Sequence, residues 1–205
     1  MNAKEFKKIS KMNYAEYCKY LQEKYGIPKY DYMTKSFNKN PKNSRTSEGL
    51  VIHHIDEDKM IMLSTKEFAE LCPFEWQTKE RLVYCDYLEH LLLHVLICEN
   101  PSPERDPSVD VGIGGVVNFI VPELNDVYSG FKTKQEWRKN CHDKIINDKE
   151  VYLDIVYRFY NWYKKNTGGD SDIICTSLNE QFGSWSKENN QDIFYTFWAW
   201  DYEEL

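Results

Sequence analysis

The sequence predicts an α+β protein with a basic N-terminal helix and arm, a small strand-strand-helix centre and a mostly helical C-terminal half. Three observations predict it. Apolar side chains recur at three- and four-residue steps near the N-terminus and again in the last third of the chain, as amphipathic helices require. Between these regions, apolar runs of strand length lie at 50–55, 60–63 and 81–85, separated by polar, turn-forming residues. The third run leads directly into "DYLEHLLLHVLIC", an apolar stretch of helical length.

Each element follows from its local pattern. "MNYAEYCKYLQEKYG" places Tyr14, Tyr17, Leu21 and Tyr25 on one helical face, and Gly26 and Pro28 stop the helix. "KYDYMTKSFNKNPKNSRTSEG" has little periodicity and is rich in Asn, Ser, Lys and Pro, the composition of an exposed arm. Residues 50–55 and 60–63 read as two strands joined by a tight turn at "DEDK". Ser64 and Glu67 have capping-box spacing for a short helix, "TKEFAELC", which Pro73 limits. A strand at 81–85 and a helix over 86–98 follow, up to the proline-rich "ENPSPERDP". That stretch is the best boundary, dividing the chain into 1–47, 48–98 and 99–205.

Beyond it, "GIGGVVNFIVPELNDVYSG" is an apolar element whose glycines are expected to serve a turn; they lack the G-x-G-x-x-G spacing of a nucleotide loop. "TKQEWRKNCHDKIIND" and "KEVYLDIVYRFYNWYKKN" are helix-like, and "DIFYTFWAWDYEEL" forms an aromatic tail. Aromatic richness of this kind is expected to pack a core more than to stack on bases, with any exposed share forming a protein-partner surface.

Composition bounds the function. A chain of 205 residues with 41% hydrophobic content can bury a substantial core, as one elaborated domain or two small ones. No apolar run approaches the roughly 18 to 20 residues that cross a bilayer, and the N-terminal stretch lacks the apolar centre of a signal peptide, so no membrane association is expected and the expected compartment is the cytoplasm. The six cysteines include no C-x-x-C pair, which points away from a disulfide framework or a four-cysteine zinc site. Net charge is −7, yet residues 1–47 carry 11 Lys and Arg against four acids, leaving −14 on the rest. A basic segment ahead of an acidic body fits contact with a polyanion at one end, although positions 4–24 equally fit the solvated face of a helix.

Four of the five histidines form two pairs: His53 with His54 on the first predicted strand, and His90 with His94 on the central helix. Helix positions i and i+4 share a face, with Cβ atoms about 5 to 6 Å apart, so two imidazoles can reach one metal ion. Alone, His90 and His94 would read as the polar edge of an apolar helix. The adjacent pair changes the balance, because neighbouring strand residues point to opposite faces and cannot both rest idle on one apolar surface. A zinc-peptidase H-E-x-x-H site is disfavoured, since Leu91 follows His90 and Glu89 precedes it.

The segments "LVIHHI" (50–55) and "RLVYCDYLEH" (81–90), with His94, resemble the HNH endonuclease family, the ββα-metal nucleases. The resemblance covers about 45 residues, under a quarter of the chain. It implies a ββα-metal core near residues 48–98 in which His53, His90 and His94 hold one divalent ion (Zn, Mg, Mn or Ni) and His54 is the general base of a metal-dependent DNA endonuclease. Histidine can accept a proton from water at neutral pH, and a metal offsets charge on the phosphate and the leaving oxygen. Arg81 stands where the family carries its loop-pinning asparagine, and no asparagine lies between His54 and His90. The base must therefore be oriented by another group, and Arg81 is available as a charged fork for phosphate, hence a candidate catalytic residue. Lys35, Lys39, Lys42 and Arg45 in the arm are the expected DNA contacts. The rival expectation is a non-catalytic binding or inhibitor protein, of the kind phages and mobile elements encode, with a structural metal and an aromatic binding surface.

Overall fold

The computed structural model describes residues 1–176 and 191–202, so 177–190 and 203–205 of the expected helical C-terminal half lie outside the described residues. Two N-terminal helices, α1 (Ala3–Ile9) and α2 (Tyr14–Tyr25), lead into the arm. A two-stranded antiparallel sheet pairs β1 (Val51–His54) with β2 (Leu82–Cys85), with His53 opposite Val83 and His54 opposite Leu82. Between the strands lies the short helix α3 (Lys66–Ala69), and after them α4 (Tyr87–Glu99). The chain then forms α5 (Ile113–Gly115), a π-helical segment (Val116–Ile120), α6 (Val121–Tyr128), α7 (Glu136–Ile145), α8 (Lys149–Thr167), α9 (Asp172–Thr176) and α10 (Gln191–Ala199).

Helix α4 organises the molecule. It is apolar nearly all round, and such a helix must be covered on every side. Leu88, Leu91, Leu92, Leu93 and Val95 are fully buried against α2, β2, α7, α8 and the 113–120 segment. Its first turn is fixed by a capping box in which the Asp86 carboxylate accepts from the Glu89 N–H and the Glu89 carboxylate accepts from the Asp86 N–H. One hydrophobic core draws residues from α1, α2, β2, α4 and the C-terminal helices, so the histidine-bearing centre is embedded in the rest of the chain.

Two local expectations differ from the structure. Residues 60–63 do not form the second strand; β1 instead pairs with the later run at 82–85. The "IDED" residues wind into a 3-10 turn, Ile55–Asp58, tied by Asp56 to Arg81, and Met62 then adopts a positive φ of 60° that ends any extended path. Helix α3 starts after Thr65 with no side-chain cap, rather than from a Ser64 box. The arm is also more ordered than its composition indicates: the buried Asn43 amide accepts from the Tyr30 N–H and donates to the Asp31 carbonyl, and Gly49, at φ 70°, lies against α7 where a Cβ would meet Asn140 and Lys144 at 2.8 Å.

Candidate metal centre

The two adjacent histidines of β1 turn to opposite sides. His53 Nε2 lies 2.8 Å from the Tyr14 hydroxyl, which also lies 2.9 Å from the Ile55 carbonyl oxygen. A carbonyl only accepts, so Tyr14 donates to Ile55 and accepts from His53 Nε2–H. That assignment leaves the lone pair on His53 Nδ1, a buried atom without a hydrogen-bond partner. Nδ1 faces Glu57 Oε2 at 3.3 Å, which in turn lies 3.4 Å from His94 Nε2, itself 3.3 Å from His90 Nε2. The four donor atoms all lie within 4.8 Å of one another.

This arrangement could hold a metal ion. Zinc-type ligand distances of about 2.0 to 2.2 Å give a tetrahedral edge of roughly 3.3 to 3.6 Å, and three of the donor pairs here lie at 3.3, 3.4 and 3.3 Å. Burial lowers the imidazoles of His53 and His94 well below 6.5, with the neighbouring histidines adding to it, and brings His90 to about 4. All three are therefore neutral donors at pH 7. Burial also raises Glu57 to about 8. Three imidazole nitrogens and a carboxyl converge with no cation among them; His90 Nε2 and His94 Nε2 share one proton between them, and a divalent ion would take the place of that proton.

The second histidine belongs to a different environment. His54 is 1% exposed, its ring 4.4 Å from that of Tyr32, and its Nε2 lies 3.2 Å from Gln77 Oε1. Gln77 in turn donates to the Leu63 carbonyl at 3.0 Å. That contact orients the amide so that Oε1 accepts from His54 Nε2–H, leaving Nδ1 as the basic nitrogen, 3.8 Å from Glu57 Oε1. Burial is also what brings His54 down to about 4, against the Gln77 hydrogen bond. Arg81 lies outside the cluster. Its guanidinium forks onto both oxygens of the buried Asp56, Nε at 2.7 Å, and so ties the start of the loop to the start of β2.

Sequence reading missed two of these groups. Glu57 follows His53 by four residues in a run of three acids, and only the 3-10 turn selects it to point inward. Gln77 is neutral and lies in the insertion between the strands. The glycines of 112–115 also do more than turn. Gly112 has φ +87°, and Gly115 lets α5 lie on His94, where an added Cβ would come within 2.2 Å of Nδ1.

A cavity of about 530 Å³ opens beside the cluster, reached by Glu57, His90 and His94 but not by His54. Of the expected DNA contacts, Lys35, Lys39 and Lys42 are exposed, resting on the rings of Phe74, Tyr32 and Tyr30. Arg45 is engaged instead by Glu48 and by the Tyr25 carbonyl. No protein-family model matches this chain, and no curated protein or solved structure does. Among the described residues no helix is long and apolar enough to cross a membrane.

Proposed function

We propose that this chain is a metal-dependent nuclease that hydrolyses phosphodiester bonds in DNA. The observation that carries the proposal is the convergence of His53 from a strand, Glu57 from a turn, and His90 and His94 from a helix at the wall of an open cavity. The order strand, loop, strand, helix, with the histidine pairs on the first strand and the helix, is also what resemblance to the HNH family implies.

Three neutral imidazoles with a carboxylate favour zinc or another late first-row ion over magnesium. Bound there, the ion supplies Lewis acidity to a phosphate oxygen and to the leaving 3′-oxygen. The chain's own groups do the rest. His54 is assigned as the general base, held by Gln77 with Nδ1 turned to accept a proton. Burial brings it to about 4 and keeps it off the cavity wall, so the role requires water to enter beside Glu57, 3.8 Å from Nδ1. Asp56 and Arg81 anchor the loop between His54 and β2, with Gln77 and Arg81 sharing the task of the missing asparagine. Lys39 lies over the Tyr32 ring that packs on His54, and with the exposed Lys35 and Lys42 of the same arm it offers the phosphate backbone positive charge.

A second reading has its own support. Glu57 supplies a fourth ligand, and four protein ligands make the closed set of a structural site. Read so, the chain is a binding or inhibitor protein whose exposed Tyr195, Trp198 and Tyr202 meet a protein partner. One experiment separates the two: plasmid DNA is incubated with protein loaded with Zn²⁺, Mn²⁺, Ni²⁺ or Mg²⁺. Cleavage that disappears in His54→Ala while metal stoichiometry is unchanged supports the nuclease. Intact DNA with metal verified in the protein transfers the assignment to the binding protein.

A further inference from the structure

The cavity beside the metal centre has a lining that phosphate binding does not account for. Beyond the histidines, its walls are Ile52, Ile61, Met62 and Phe119, with Asn118 and Asp110 among the polar groups, and no lysine or arginine contributes. A phosphate placed inside would find no counter-charge away from the metal centre and would face the carboxylate of Asp110. The uncharged part of a nucleotide is its base, a flat ring with a hydrogen-bonding edge.

The wall is suited to such a ring. Phe119 is 54% exposed, and Asn118 is exposed beside it. Both lie on the π-helical segment Val116–Ile120, a backbone form that recurs at functional sites. Among the described residues neither Asn118 nor Asp110 has a side-chain hydrogen bond or ion pair to hold it. At about 530 Å³ the cavity falls within the range of small-molecule sites, ample for one base and its sugar.

We infer that this cavity receives one unpaired nucleobase beside the scissile phosphate, stacked on Phe119 with its edge on the Asn118 amide, so that the substrate is single-stranded or locally unpaired. The inference rests on the nuclease reading. A base within a duplex is stacked on both faces and cannot enter such a cavity without being extruded. Stacking on one aromatic side chain tolerates every base, so the expected selectivity is for strand state.

The test is fluorescence anisotropy on zinc-loaded protein with a labelled 12-nucleotide single strand and the corresponding duplex, both carrying phosphorothioate linkages that resist cleavage. Wild type should bind the single strand more tightly. Phe119→Ala should weaken that binding roughly ten- to a hundredfold and leave duplex binding unchanged, and Phe119→Tyr should restore it. Phe119 is exposed, so the melting temperature of the variant should match wild type and exclude misfolding. Equal effects on both forms, or none on either, overturn the inference and leave the nuclease reading standing. Wild-type protein that binds neither form overturns both.

Discussion

The Tyr14 hydroxyl on α2 stands 2.8 Å from Nε2 of His53 on β1, the nitrogen that does not face the cluster. Outer hydrogen bonds of this kind set the tautomer and orientation of a ligating imidazole. Tyr14 therefore makes helix α2 part of the candidate metal centre although it offers no ligand atom to it.

Replacing Tyr14 with Phe keeps the packing and removes that hydrogen bond. Metal affinity should fall by about 10- to 100-fold, read by titration against a competing chelator. Metal-free protein should lose less, about 1 to 2 kcal/mol in denaturant unfolding, because a buried donor loses its acceptor. Unchanged affinity would mean that His53 does not bind through Nδ1.

Gly115 and Gly114 make a matched pair. A Cβ on Gly115 would meet the His94 ring at 2.2 to 2.7 Å, whereas one on Gly114 has only the Asn118 amide, at 3.6 Å. Gly115→Ala should displace His94, destabilise the fold by about 1 to 3 kcal/mol and abolish tight metal binding. Gly114→Ala should leave both intact, as Ala is the better helix former. Melting curves with and without zinc give the answer, and similar behaviour of the two variants would count against a role for Gly115 in seating the imidazole.

Much of this centre was legible because its signals are local. Apolar runs of strand length, a capped apolar helix and histidines four residues apart need no tertiary information. What was hidden depends on loop conformation. The three acids of "DED" cannot be told apart until the 3-10 turn sends Asp56 to Arg81 and Glu57 to the histidines. The run 60–63 has the composition of a strand but not its partner, because the 3-10 turn at 55–58 and the positive φ of Met62 break its extended path while 82–85 pairs with β1. Gln77 comes within reach of His54 only through the fold of the insertion, and no neutral amide announces such a contact in sequence. Arg45 reads in sequence as one more cation of the arm, and only the 3-10 turn at 46–48 brings the Glu48 carboxylate onto its guanidinium.

Glu123 gives a pH-dependent contribution remote from the metal centre. Burial raises its carboxyl, but hydrogen bonds from His142 at 2.6 Å and from both arms of Arg138 at 2.6 Å outweigh this and hold it below 4.5. A carboxyl depressed in the folded state stabilises fully above its unfolded value, and the contribution fades as pH falls from 4.5 through the lower folded value. Arg138→Met should cost about 1.5 to 3 kcal/mol at pH 7, less as pH falls below 4.5. Urea unfolding at pH 7, 5 and 3.5 measures this, and a penalty independent of pH would show that packing, not charge, is what Arg138 contributes.

The arm supplies the most direct test of polyanion binding. Lys35, Lys39 and Lys42 are exposed, and their ammonium groups lie 3.7 Å, 6.0 Å and 5.5 Å from the centroids of the rings beneath them. Aromatic supports of this kind hold a lysine without neutralising it. Arg45 already has a carboxylate partner in Glu48, so it has less to gain from a phosphate. Each phosphate neutralised on duplex DNA adds about 0.9 to the magnitude of the slope of log affinity against log salt. Replacing the three lysines with glutamine should therefore reduce that slope by up to about 2.7, uniformly across DNA sequences, since phosphate contacts position a protein without reading bases. Arg45→Gln should change the slope little and lower the melting temperature instead, because it loses its hydrogen bond to the Tyr25 carbonyl. The two sets of variants thus separate charge offered to a ligand from charge used in folding. A triple-lysine variant with an unaltered slope would remove the arm from any DNA interface and leave the acidic remainder of the chain to bind a polyanion, a result that would favour the protein-binding alternative.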